Sequence, residues 1–287
     1  MHVEFRCPHC GAQASAPDSG TGPTGVCSSC GKPLTVSPPG SFDDDALHAK
    51  RTVWPVIAMA VFLSLLLLLL LPAMKTSPPG GRLDQCMSNL MQISKAMLMY
   101  EADHGSLPPA YVADKNGRPM HSWRVLLLPY LDRLPLYKEY HFDEPWDGPH
   151  NRPLADRMPR VYRCPSAPTG VSVTSYAVVV GPNTVFPGAT AVRRDEISDG
   201  LSNTILVVEA ARVGINWLEP RDLKEENMHF KINGDPRTEI SSFHVHLANA
   251  MFCDASPHPL KDSIDPALLK DLIERNDGHR VDMDQLR

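Results

Sequence analysis

Residues 83–109 read LDQCMSNLMQISKAMLMYEADHGSLPP. Apolar side chains recur at Leu83, Cys86 or Met87, Leu90, Ile93, Met97 and Tyr100, a spacing that gathers them on one side of an α-helix. Gly105 closes that helix, and Pro108 with Pro109 keeps the chain from resuming it. The methionines of the stripe read as core packing, because an unbranched thioether fills irregular gaps under a helix. A helix with one apolar side must be buried against something. The segments downstream supply it: TSYAVVVGPNTVFPG (174–188) reads as a strand entering a Gly-Pro turn, and SNTILVVEA (202–210) as a second, buried strand. SSFHVHLANAMFCDAS (241–256) reads as a pair of short strands. In DSIDPALLKDLIERNDGH (262–279), Asp265 caps a last helix with Pro266 at its first position, and Asp277-Gly278 stops it. A leading helix, antiparallel strands and a short closing helix define an α+β domain.

Upstream lies a different kind of sequence. VWPVIAMAVFLSLLLLLLLPA, residues 53–73, holds 21 positions without a charge. At about 1.5 Å per residue it spans about 30 Å, the hydrocarbon thickness of a bilayer. Trp54 stands where an interfacial aromatic belongs, and Lys50, Arg51 and Lys75 bracket the run. The reading is one transmembrane helix. Between it and the amphipathic helix stand Pro78, Pro79, Gly80 and Gly81, which remove helix donors and stiffness together.

Residues 5–34 read FRCPHCGAQASAPDSGTGPTGVCSSCGKPL. Cys7 and Cys10 form one Cys-x-x-Cys pair and Cys27 and Cys30 another, each followed by a glycine, Gly11 and Gly31. Two such turns bring four thiolates onto one ion, a closed tetrahedral zinc site whose metal is structural, the competing readings being a redox pair or two disulfides. About thirty residues lack a core of their own, so the metal supplies the folding energy. Thiols kept reduced for zinc belong in the cytosol. That sets the orientation: N-terminus cytoplasmic, residues 74–287 extracytoplasmic, a single pass through the cell (inner) membrane. The expected organisation is therefore a zinc ribbon at 1–36, a polar linker at 37–52, the membrane helix at 53–73, a Pro/Gly hinge at 74–82 and an outer domain at 83–287. A net charge of -5 gives no sign of a general nucleic-acid binder, and 28 prolines point to an outer domain rich in loops.

The outer domain resembles the bacterial family known as domain of unknown function 1559. The resemblance is carried, in order, by CMSNLMQISKAMLMYEADHGSLPP, SWRVLLLPYLDRLPLYKEYHFDEPWDGPHNRPL, VYRCPS, TSYAVVVGP, EISDGLSNTILVVE, WLEPRDL and LKDSIDPALLKDLI, from Leu83 to about His279. It implies a type IV pilin- or pseudopilin-like fold, a long N-terminal helix packed on an antiparallel sheet. The family's members usually begin with a short basic leader and a helix bearing an early glutamate. Here no acid occurs between Lys50 and Asp84, so a prepilin peptidase has nothing familiar to cut and the ribbon is expected to stay attached. Cys86 and Cys164 match cysteines common in the family. In an oxidising compartment they could form a disulfide, the alternative being two separate buried thiols. The family's HPGG and ADG are replaced here by HVHL and CDA, and alanine at 255 puts a tight hairpin turn in doubt.

Other candidates are weaker. His244, His246, Asp254 and His258 fall within fifteen residues, and His-x-His on a strand puts both rings on one face. No further ligand pattern supports a site, and a surface strand with scattered histidines explains them. FDEPWDGPHN offers Asp143, Glu144, Asp147 and Asn151 as oxygen ligands for Ca2+, against a plain reading in which Trp146 packs the loop and the acids are solvated. Ser166 and Ser202 lack the strand–elbow–helix setting of a nucleophile, and no phosphate-binding loop occurs. The function expected is non-catalytic: a membrane-anchored, pseudopilin-like protein with a structural or interaction role at the cell surface or in a secretion-type assembly. Its partners would be the lipid bilayer and protein, not nucleic acid. The alternative is an extracytoplasmic ligand- or solute-binding module, which a deep pocket lined by Trp123, Trp146 or Trp217 would favour.

Overall fold

The computed structural model describes residues 2–7, 9–17, 24–35, 57, 59–64, 79–168, 172–279 and 281–286. The chain divides into two compact units, Met1–Thr76 and Ser77–Arg287. In the first, β1 (His2–Arg6) pairs antiparallel with β2 (Gln13–Pro17), and β3 (Thr24–Val26) with β4 (Pro33–Thr35). Each hairpin loop carries one of the cysteine pairs. Residues 57 and 59–64 are helical, and no helix among the described residues is long and apolar enough to cross a membrane. Most of the span expected at 53–73, the linker at 37–52 and hinge residues 74–78 lie outside the described residues.

The second unit opens with the long helix, Pro79–His104. It starts four residues before Leu83, so Pro79, Gly80 and Gly81 belong to its first turn and do not interrupt it. Proline fits there because the first N–H groups of a helix have no partner within it. The expected stripe is the buried one: Cys86, Leu90, Ile93 and Met97 are inaccessible, while Gln92 and Lys95 face solvent. At the far end Gly105 donates to Glu101 O at 2.7 Å with φ +76°, the left-handed turn that only glycine takes without cost.

Beneath the helix lies a four-stranded antiparallel sheet, in the order β12 (Pro257–Lys261), β11 (Leu247–Phe252), β9 (Ile205–Glu209), β7 (Tyr176–Ala177). The helix packs on β9, β11 and β12. Both faces of the sheet are covered. Val207 and Met251 join the helix-side core with Leu90, Ile93 and Met97. Val208, Ala250 and Phe252 join the opposite core with Leu269 and Leu272 of the closing helix, Pro266–Ile273. Double coverage explains why ILVVE of β9 is buried throughout instead of alternating. A hairpin, β5 (Tyr111–Ala113) with β6 (Pro119–Ser122), and a short parallel pair, β8 (Val179–Val180) with β10 (Leu223–Lys224), complete the strands.

Three local outcomes differ from the sequence reading. First, residues 241–256 yield a single strand, because His246 has φ +62° and the chain turns before Leu247. Second, the β11–β12 hairpin is tight despite its alanine: Ala255 itself takes φ +67°, and the Asp254 carboxylate accepts from the Ser256 N–H at 2.8 Å to close the turn. Third, the closing helix ends at Ile273, before Asp277-Gly278. The N–H groups of Asp277 and Gly278 instead bind the Asp199 carboxylate at 2.8 and 2.9 Å, which anchors the C-terminal segment. The Asp265 cap forms as read, accepting from Ala267 N at 2.8 Å.

A left-handed alanine costs about 1 kcal/mol or more, partly offset for glycine by a more flexible unfolded chain. Ala255→Gly is therefore expected to stabilise this unit by roughly 0.5–1 kcal/mol. A denaturation midpoint followed by tryptophan fluorescence that fails to rise would contradict this. A second expectation concerns pH. His121 is buried, with Nδ1 2.9 Å from the Tyr140 hydroxyl and Nε2 3.2 Å from Phe142 O. Burial lowers its pKa from the ordinary 6.5, so the folded state prefers the neutral ring. Its contribution is fully present above about pH 6.5 and is lost as pH falls through the folded value. Between pH 7 and 5 the midpoint should fall, with a shallower slope in His121→Gln.

Candidate metal centres

The four N-terminal cysteines converge. Cys7 Sγ lies 3.9 Å from Cys30 Sγ and Cys10 Sγ 3.8 Å from Cys27 Sγ, with all four sulfurs within 4.8 Å of one another. The edge of a tetrahedron of sulfurs about 2.3 Å from zinc is about 3.8 Å. The two loops are the same turn built twice. Cys7 N donates to Ala12 O at 3.0 Å and Gly11 N to Cys7 O at 2.9 Å; Cys27 N donates to Lys32 O at 2.9 Å and Gly31 N to Cys27 O at 2.8 Å. Gly11 and Gly31 stand at φ +73° and +71° with open space where a Cβ would sit, so the glycines are needed for backbone direction and not for room. N–H groups of Ser29 and Cys30 draw the Cys27 thiol down to about 7. At Cys10 the Ala12 N–H pulls the same way, yet the neighbouring thiols and burial push it up to about 12. Four thiols at this spacing resist ionising together, and a cation at their centre removes that conflict. These residues could hold a metal ion, and four sulfurs around it leave no position for a substrate.

A second convergence sits in the unit Ser77–Arg287. Cys86, Cys164, Glu209 and His244 present ligand atoms within 4.8 Å of one another. Cys86 comes from the second turn of the long helix, Glu209 from the end of β9, Cys164 and His244 from loops. Both cysteines are free thiols in the structure, and both are fully buried. Their protons are shared unequally. The contact with Cys86 draws Cys164 down to about 7, against burial and with help from the Ser166 N–H; the same contact, with burial, pushes Cys86 far above the ordinary thiol range. Cys253, the remaining cysteine, is buried in the helix-side core.

The histidine set read from the sequence does not assemble. His244 turns inward, whereas His246 pairs with Asp262 at 2.8 Å on the surface and His258 packs edge-on against Phe252, 4.8 Å between ring centres. Neither His244 nor His246 is on a strand, so the one-face argument for them fails. In the Asp143–Asn151 loop, Glu144 accepts from the N–H groups of His150 and Asn151, both at 2.8 Å, and Asn151 clamps His141 N and O at 2.8 and 2.7 Å. Those oxygens hold the loop's own backbone, and the Asp143 side chain is exposed. Asp271, Asp277 and His279 also approach one another, as carboxylates 3.3 and 3.5 Å from one ring.

Of the three tryptophans that would mark a pocket, Trp123 and Trp217 are wholly buried, donating to Asp222 at 3.1 Å and to Ala155 O at 2.9 Å. Trp146 borders an open cleft of about 610 Å³ with Arg152, Asp156 and Asn216. A larger cleft, about 740 Å³, runs between the long helix and the Arg160–Ala167 segment and is lined by Arg133, Arg160 and Arg163 against Asp156, with Cys164 in its wall.

Residues 80–190 match the family model SBP_bac_10, described as Protein of unknown function (DUF1559). The match supports the resemblance read from the sequence and covers the long helix, the β5–β6 hairpin, Cys86 and Cys164; Glu209 and His244 lie beyond it. No curated protein and no solved structure matches the chain.

If the first cluster holds zinc, Cys7→Ser and Cys27→Ser should each weaken its affinity by more than about tenfold. Competition against a chromophoric chelator measures this. Binding should also weaken on acidification, because each thiol must lose its proton to bind as a thiolate. Affinity independent of pH between 5 and 7.5 would remove the thiolates as ligands.

Proposed function

We propose that this is a non-catalytic, single-pass membrane protein with a structural zinc ribbon in the cytosol and a pilin-like head outside. Its role is structural or interactive, at the cell surface or in a secretion-type assembly. The observation that carries the proposal is the long helix Pro79–His104 laid over an antiparallel sheet and following, in sequence, the uncharged run at 53–73. An exported head hung from a membrane segment by its leading helix is the arrangement that the family resemblance implies. The four-cysteine cluster supports the ribbon: its sulfur separations match a closed tetrahedral site. Zinc would hold two short hairpins that have almost no apolar core, Cys7 and Cys27 being the buried apolar cluster described there.

A second reading, an extracytoplasmic module that binds a ligand or solute, is favoured by one observation. The cleft of about 740 Å³ sets three arginines against one aspartate, a balance that suits an anionic ligand. Buried Trp123 and Trp217 give it no support, being committed to the core.

The topology is tested with single reporter cysteines in intact cells, labelled with a membrane-impermeant thiol reagent. Asn116→Cys, at the exposed turn of the β5–β6 hairpin, should label without lysis, and Ser37→Cys, in the linker, only after lysis. The opposite pattern, or protection of both, would sink the proposal.

A further inference from the structure

We propose that Cys86, Cys164, His244 and Glu209 form a second metal centre, inside the outer domain, that takes a borderline divalent cation of the zinc class. The geometry fits a tetrahedral ion. His244 Nε2 lies 3.3 Å from Cys86 Sγ, 3.7 Å from Cys164 Sγ and 3.9 Å from Glu209 Oε1. Ligands about 2.0–2.3 Å from a four-coordinate zinc stand about 3.3–3.8 Å apart. Two sulfurs, an imidazole nitrogen and a carboxylate oxygen select zinc or a similar transition ion over calcium or magnesium.

Glu209 gives independent support. Its side chain is fully buried, with Oε2 accepting from Asn249 N at 2.8 Å and Oε1 without any hydrogen-bond partner. A carboxylate oxygen left bare in the interior is costly, and fully buried acids are almost always paired or bound to metal. The bare oxygen is the one that faces His244 and the thiols. A disulfide between Cys86 and Cys164 would satisfy the two sulfurs and leave Oε1 only the imidazole 3.9 Å away, beyond hydrogen-bond distance; a cation binds all four groups.

Further contacts hold the donors in place. Cys164 N donates to Ser175 Oγ at 3.0 Å, and Asn89, one helical turn beyond Cys86, donates to Arg163 O at 2.9 Å and to the Tyr176 hydroxyl at 3.1 Å. Cys164 borders the cleft of about 740 Å³ beside the long helix, the side from which an ion would reach the site. Four protein ligands close the coordination sphere, so the ion is structural. It ties the second turn of the long helix to the sheet and to two loops. The inference concerns the outer domain alone and stands whichever side of a membrane that domain occupies.

The test uses the full chain, purified under reducing conditions, with Co2+ as the probe. In a Cys7→Ser/Cys27→Ser background the chain should still bind about one equivalent, with a thiolate-to-cobalt band and tetrahedral d–d absorption. Adding His244→Ala, a partly accessible loop residue, should abolish both bands. If the cysteine background fails to fold, zinc content of the unaltered chain decides: about two equivalents, falling to about one in His244→Ala. One equivalent that His244→Ala leaves unchanged would overturn the proposal. So would recovery of Cys86 and Cys164 as a disulfide whose reduction adds no bound metal.

Discussion

The unit Ser77–Arg287 is organised around a buried ion pair. Arg124 has no accessible surface, and its guanidinium meets the Asp222 carboxylate at 2.6 Å. The remaining donors reach Tyr176 O at 2.8 Å and Ser122 Oγ at 3.0 Å, and the Asp222 oxygens also take Val178 N at 3.0 Å and the Trp123 indole at 3.1 Å. Burial raises the Asp222 pKa while Arg124, Val178 and Trp123 pull it back. Such a pair is held by its partners more than by its own attraction. Removing one member would strand the other charge, at a cost of roughly 3–5 kcal/mol. Through it the Trp123 helix, the start of the sheet at Tyr176 and the segment leading to β10 are fixed to one point.

That fixed point matters for the cysteines. Tyr176 accepts the guanidinium on its carbonyl, and its hydroxyl contacts Cys86 O at 3.4 Å and Asn89. Tyr162, whose hydroxyl donates to Arg124 O at 2.9 Å, stands two residues before Cys164. The buried pair therefore positions the strand and the loop between which Cys86 and Cys164 meet. Glu209 arrives from the next strand, paired to Tyr176 in register. The second cluster is in this sense a product of the sheet and not of any local motif.

Much of the architecture was legible before folding, and the reasons are local. The helix from Leu83 was visible because its stripe repeats at helical spacing, and its end because glycine and two prolines follow. Its true start at Pro79 was hidden, since a proline that breaks a helix in its middle is welcome in its first turn. The hairpin at Ala255 was not legible, because alanine resists the left-handed turn; pairing along β11 and β12, with Asp254 closing the turn, outweighs that resistance. Arg124 and Asp222 lay in quoted motifs, yet nothing in either motif says that the two meet, 98 residues apart.

By itself the sequence determined the features set by short-range chemistry: two Cys-x-x-Cys turns with their glycines, an uncharged run long enough for a bilayer, an amphipathic helix, and an α+β order of elements. The convergence of Cys7, Cys10, Cys27 and Cys30 follows from two pairs spaced within one small unit. Only the tertiary structure decided that His244 belongs with Cys86, Cys164 and Glu209 instead of with His246 and His258. Spacing reports which residues share a turn or a face. It does not report which loops a buried sheet brings together, because that choice is made by long-range packing and by the need to pair charges that the core has taken out of water.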